Sequence, residues 1–328
     1  MKKRLVKSMI IVLAVNLFFA ANISTFGLGS SSVVSQYDLL QVKNGRLCDH
    51  KGTPVQLKGM STLGLWSPYT GETVKNLVLD WHISVLRVAM YTKENGFIDD
   101  RAFKEKVKRL VDAAIAEGIY VMVDWHILSD GDPNRYRVES KAFFVEMAKR
   151  YGKFPNIIYE ICNEPNGDAV SWDGRIKPYA EFIIPAIRAI DPDNLIVVGT
   201  DTWSQGVKAA AENPLKYPNI MYALHFYAGT HGQSLRNNAD DALSKGIGIF
   251  VTEWGVSDCT GSGGVFLEAA QQWLDWMDKH KLSWVNWSFS NKNESSAALL
   301  PGTGISGPWS DSELSVSGKW IKKKIMEK

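Results

Sequence analysis

Cysteine is scarce in this chain, with three in 328 residues: Cys48, Cys162 and Cys259. No CxxC pair and no zinc-type spacing joins them, which argues against a metal cluster, and the odd count leaves at least one thiol free. Cys162 falls inside a strand-like run and reads as a small buried hydrophobe. A Cys48–Cys259 disulfide stays open for an exported protein. There is no repeat, no Pro/Ser/Thr-rich linker and no appended binding module. Nor is there a basic patch of the kind that meets nucleic acid or an anionic membrane surface.

The small net positive balance comes from the start of the chain. Met1, Lys2, Lys3, Arg4 and Lys7 precede an apolar stretch from Met9 to Ala21, broken only by Asn16, and small residues follow. This pattern is expected to be a secretory signal over residues 1–29, cleaved between Ala21 and Ser31, so the mature protein is expected outside the cell. The stretch is shorter than the ~20 apolar residues a spanning helix needs, so no membrane anchor is expected after cleavage. Removing residues 1–29 removes four cations and no acid, so the formal charge moves from +2 to −2. A neutral substrate fits that balance.

Tryptophan is the surplus residue, at 12. It serves either as core packing or as flat platforms for ligands with apolar C–H faces. From residue 55 onward, β-prone runs alternate with amphipathic helices. The strand candidates are residues 55–58, 85–89, 120–124, 157–161, 195–199, 220–224, 249–252 and 283–287. Most are near-continuous Val/Ile/Leu runs, as parallel strands buried on both faces require. Residues 101–117 repeat Phe103, Val107, Leu110, Val111 and Ala114 at helical steps. The same spacing recurs from Tyr179 to Ile190 and from Phe266 to Met277, and a last helix is expected over 318–326. Eight such units in this length predict one α/β domain over residues 30–328, a (β/α)8 TIM barrel. Residues 36–51 should form a small β element closing its floor. A monomer is expected.

Two glutamates stand out against this frame. Glu164 and Glu253 each end an apolar, β-prone run and precede Pro165 or a Trp-Gly pair. Burying an unpaired carboxylate is costly, so two such placements suggest a constructed site. In a barrel of this type functional groups gather at the C-terminal ends of strands. Those ends carry Arg87 and Tyr91, then Asp124 and His126, then Asn163 and Glu164, Trp203, His225 with Tyr227, Glu253, and Trp287. The chemistry that needs two carboxyls across one bond is glycoside hydrolysis. The proton donor needs its pKa raised, while the nucleophile must stay ionised, for which Arg87 is the available cation. Asn163, His126, His225 and Tyr227 can hydrogen-bond hydroxyls or the glutamates. Glu160, inside the fourth strand, needs a partner, and Arg87 is a candidate. Other readings stay open: structural glutamates, or His126 and His225 with Asp124 as metal ligands.

The run Ile161-Cys162-Asn163-Glu164-Pro165-Asn166-Gly167 resembles the acid/base motif of glycoside hydrolase family 5, and Thr252-Glu253-Trp254-Gly255 resembles its nucleophile motif. Leu86-Arg87-Val88, Val123-Asp124-Trp125-His126, His225-Phe226-Tyr227 and Asn286-Trp287-Ser288 follow the family's order across the chain. The resemblance, nearest to secreted bacterial endo-β-1,4-glucanases, implies a retaining double displacement without a cofactor or metal. It implies Glu164 as acid/base and Glu253 as nucleophile, acting on a β-glucan polysaccharide or oligosaccharide. It further implies substrate contacts from Arg87, Tyr91, His126, Asn163, His225, Tyr227 and Trp287, from Lys292 and Glu294 on the non-reducing side, and from Trp203 on the leaving-group side. Trp66 is expected as another platform. The family often carries His where this chain has Leu63, which bears on substrate preference. Retention predicts carboxyls about 5–5.5 Å apart, inversion about 6.5–9.5 Å. Mannan, xyloglucan or mixed-linkage glucan remain alternative substrates, and a non-catalytic glycan-binding barrel is the rival of another class.

Overall fold

The computed structural model describes residues 32–327; the expected signal segment lies outside them. The described part opens with a short helix, Val33–Tyr37, and a hairpin of β1 (Gln41–Lys43) and β2 (Arg46–Cys48). Asn44 and Gly45 make its two-residue turn with φ of 50° and 69°, the left-handed pair that a tight hairpin needs. Leu40 and Leu47 then pack against the lowest side chains of the barrel interior. The hairpin is thus the floor element expected over 36–51.

Eight strands follow: β3 (Lys58–Thr62), β4 (Val85–Tyr91), β5 (Tyr120–His126), β6 (Ile157–Glu160), β7 (Leu195–Val198), β8 (Ile220–Tyr227), β9 (Ile249–Gly255) and β10 (Trp284–Phe289). They close into a parallel barrel in sequence order, with β10 beside β3. Helices pack outside, among them Phe103–Ala116, Lys177–Arg188, Leu267–His280 and Val316–Met326, close to the helical stretches the periodicity marked. The (β/α)8 class is therefore the observed one.

The first strand was misplaced by sequence: the expected 55–58 run only leads into it. Val55 and Leu57 are apolar because they pack in the floor, while β3 itself starts at Lys58. Its composition is unlike a strand for a steric reason. A Cβ on Gly59 would sit 1.8 Å from the Val85 carbonyl oxygen, so the close approach of β3 to β4 excludes any side chain there. Several other strands run past their expected ends, to Tyr227, Gly255 and Phe289.

Interior side chains lie in layers. Val85, Tyr120, Met122, Ile158, Val197, Met221, Phe250 and Val285 form a lower apolar layer with the floor residues. One pleat higher the inward positions carry Arg87, Asp124 and Glu160, all fully buried. The alternate residues, such as Leu86, Val121, Tyr159 and Leu224, face the helices. The Cys48–Cys259 disulfide does not form. Cys48 is buried in the floor hairpin, whereas Cys259 is exposed beside the opposite, C-terminal face, and all three cysteines are free thiols.

Candidate active site

A cleft of about 480 Å³ opens at the C-terminal ends of the barrel strands. Strand pleating delivers most of its groups: Tyr91 and His126 end β4 and β5, and His225 and Tyr227 stand two apart on β8. Glu253 reaches the cleft by a different device. Ala223 pairs with Phe250 and His225 with Glu253, so β9 uses three residues where β8 uses two. The same extra residue appears against β10, where Trp284 pairs with Val251 and Asn286 with Trp254. This β-bulge turns both Thr252 and Glu253 toward the interior and sends Trp254 outward, to stack on Phe226 at 5.3 Å. Strict alternation from Phe250 would have pointed Glu253 at the helices.

Of the expected site residues, Glu164, Glu253, Tyr91, His126, Trp203, His225, Tyr227, Trp287, Lys292 and Glu294 line the cleft. Three do not. Arg87 lies fully buried beneath it, because its guanidinium is committed to protein acceptors: Glu160 Oε2 at 2.6 Å, Glu253 Oε2 at 2.9 Å, Asn163 Oδ1 at 2.6 Å and Asp124 Oδ2 at 3.0 Å. Asn163 is equally buried; its amide accepts from Arg87 and donates to the Ile127 carbonyl at 2.9 Å. Trp66 stands outside the cleft wall, 43 % exposed, against the Tyr91 ring at 4.6 Å. Glu160 has the Arg87 partner its burial called for.

Leu63, noted above as a departure from the pattern the chain resembles, lines the cleft too. Leu128, Gln205, His231, Cys259, Thr260 and Gly261 also line it and were not anticipated as such. All sit in loops beyond the strand ends, where no periodic pattern marks them. Their placement depends on distant partners: the Cys259 amide donates to Thr230 Oγ1, and Ser296 N donates to the Gly261 carbonyl.

Trp203 is presented by a strained turn. Thr202, Trp203 and Ser204 have consecutive φ values of 55°, 54° and 56°, a region that costs a non-glycine residue roughly 1–3 kcal/mol. Hydrogen bonds hold it: Trp203 N donates to the Pro165 carbonyl at 3.1 Å and Ser204 Oγ to the Asn163 carbonyl at 2.6 Å. The indole is left 47 % exposed beside the segment that carries Glu164.

The two glutamates have opposite surroundings. Glu164 and Glu253 offer carboxylate oxygens within 4.8 Å of each other, with His225 in the same group. Burial and the neighbouring Glu253 charge raise the pKa of Glu164. Burial acts on Glu253 in the same sense, but His225 and Arg87 outweigh it and hold its pKa below the usual value. Tyr227 adds a hydrogen bond, its hydroxyl donating to Glu253 Oε1 at 2.7 Å. His126, pushed down to about 3 by burial and by Arg87, is neutral. Its Nδ1 lies 2.6 Å from Asp124 Oδ2, and its ring stacks on Trp287. Among the described residues, the cation-sized grouping of ligand atoms is Glu164, His225 and Glu253, which leaves out the His126 and Asp124 that a metal site with His225 would have used.

Comparison with known proteins agrees with this architecture. Residues 48–293 match the family model described as cellulase, glycosyl hydrolase family 5. Endoglucanase A of Evansella cellulosilytica is 55 % identical over 97 % of this chain, and an endoglucanase of Clostridium saccharobutylicum is 51 % identical over 97 %. The chain spans 65 % and 71 % of those relatives' lengths. The crystal structure of the catalytic domain of Thermobifida fusca endoglucanase Cel5A (E5) superposes with a TM-score of 0.87 at 41 % identity, covering 90 % of this chain and 100 % of that one.

Proposed function

The chain belongs to glycosyl hydrolase family 5, and from that premise we propose that it is an endo-β-1,4-glucanase working by a retaining double displacement. Glu164 is the acid/base and Glu253 the nucleophile. The observation that carries this reading is the pair of carboxylates within 4.8 Å, one driven toward its protonated form and the other held ionised. Inverting enzymes separate the two carboxyl groups by about 6.5–9.5 Å to admit a water, and carboxylate oxygens within 4.8 Å of each other support the retaining alternative.

In the first step Glu253 attacks the anomeric carbon while Glu164 protonates the departing glycosidic oxygen. In the second, Glu164 takes a proton from water, which attacks the same carbon and releases Glu253. Arg87 and the Tyr227 hydroxyl hold Glu253 in its attacking orientation and stabilise its charge. Trp287 and Trp203 both line the cleft and offer aromatic faces suited to pyranose C–H faces. Lys292, 57 % exposed and ion-paired with Glu294, offers a polar contact for sugar hydroxyls. A β-glucan substrate fits these groups, and the Thermobifida fusca relative has been solved in complex with cellotetraose. Action outside the cell, after loss of residues 1–29, completes the reading and rests on the N-terminal sequence pattern. Among the described residues no helix is long and apolar enough to cross a membrane.

The test measures reducing ends and viscosity on carboxymethylcellulose beside galactomannan, with the anomer of the first product followed by proton NMR. Rapid viscosity loss on the glucan and an initial β-anomer are expected. An initial α-anomer would remove the double displacement, and preference for galactomannan would remove the substrate assignment.

A further inference from the structure

A buried chain of charged groups connects the two cleft carboxylates, and the proposed roles of Glu164 and Glu253 leave its middle unexplained. Glu253 Oε2 accepts from Arg87 Nη1 at 2.9 Å, and Arg87 Nε donates to Glu160 Oε2 at 2.6 Å. Glu160 Oε1 lies 3.8 Å from His225 Nε2, and His225 Nδ1 is 2.9 Å from Glu164 Oε1. Glu160 is fully buried and does not line the cleft, so it cannot touch a glycan. Its Oε1 has no hydrogen-bond partner. Arg87 pairs with Glu160 but is shared with Glu253, which is held ionised, while burial pushes Asp124 toward its protonated form. Two ionised buried carboxylates need a second cation beside Arg87, and His225 is the one within reach of Glu160.

We propose that Glu160 is a positioning residue that keeps His225 an imidazolium and thereby sets the upper pH limit at which Glu164 still holds the proton it donates. The proposal rests on the acid assignment of Glu164 made above. The groups facing His225 and its partners are Arg87 and Tyr91 from β4, Asp124 and His126 from β5, Glu160 and Glu164 from β6 and its following loop, Tyr227 from β8, and Thr252 and Glu253 from β9. Burial alone would lower the pKa of His225, but its contacts with Glu160 and Glu164 outweigh this and push it up to about 9. With both ring nitrogens protonated, Nδ1 donates to Glu164 and Nε2 donates to Thr252 Oγ1 at 2.8 Å. When this pair loses one proton, Glu164 gives it up and the imidazolium keeps its own, so the acid is gone. Without the Glu160 charge the ring yields first, and the remaining proton stays on Glu164 to higher pH.

The experiment is the isosteric Glu160→Gln variant, with kcat/KM for cellotetraose followed against pH and the His225 ring nitrogens titrated by NMR. The alkaline limb is expected to rise by about 1 pH unit, and the ring to titrate lower by a similar step. Glu160→Asp, which keeps a charge, should bring the limb back toward the parent. A uniform loss of kcat with the limb unmoved would mean that Glu160 only supports packing. The unmodified enzyme gives a reading that no folding defect can obscure: a His225 ring already neutral at pH 7 overturns the proposal. Failure of the acid assignment shows separately, as undiminished cellotetraose hydrolysis by Glu164→Gln.

Discussion

Glu253 and Glu164 divide the work through their neighbours, and single substitutions should separate them. Glu253→Ala removes the attacking group and should abolish turnover of every glycoside. Glu164→Ala should cost about 10²–10⁴-fold on cellulosic substrates and far less on aryl glycosides, whose leaving groups need little protonation. Steady-state rates on both substrate types check this. Activity should be bell-shaped in pH, since it needs Glu253 ionised and Glu164 protonated. Stability should respond to pH through other residues. Glu160, held at about 2 because Arg87 and His225 outweigh its burial, adds stability that is full above its unfolded value and fades as pH falls toward 2. His126 acts in the same direction from about 6.5 down to about 3, since protonating it requires leaving the buried site. His225 has the opposite sign, its contribution being lost as pH rises through about 9. Chemical denaturation across pH should therefore show an acid decline beginning well above pH 4.

Strands that obey simple alternation were legible in the sequence, and strands that break it were not. β5, β6 and β7 could be read because they open on runs that are apolar on both faces, before Asp124 and Glu160 in the first two. β3 escaped notice because contact with β4 demands Gly59, and glycine is no strand signal. Gly59→Ala should cost about 3 kcal/mol or more, since the obstacle is the Val85 backbone rather than a movable side chain; a melting curve checks it. The two glutamates were conspicuous as carboxylates at the ends of apolar runs. The bulge that aims Glu253 was invisible, because an inserted residue leaves no mark in composition and appears only as unequal register against β8 and β10. Arg87 was read correctly as the partner of Glu160 and the cation beside Glu253, but it and Asn163 were also given substrate contacts that their burial excludes. Sequence can place a side chain at a strand end without saying whether its hydrogen bonds are already taken.

For the molecule as a whole, the layering of the barrel separates what folds it from what reacts. The floor hairpin and lower layer are apolar, the middle layer is ionic and sealed, and the cleft is polar and aromatic. No covalent cross-link ties these layers together, since Cys48 and Cys162 are buried free thiols and Cys259 is an exposed one. Reductant should leave both the melting temperature and the activity unchanged, which a thermal scan with and without dithiothreitol checks. The isolation of Cys259 has a practical corollary. A maleimide dye added to the folded protein meets one accessible sulfur out of three, and that sulfur stands on the rim of the cleft. Labelling at that sulfur therefore places a dye beside the two glutamates' cleft without any cysteine being added or removed.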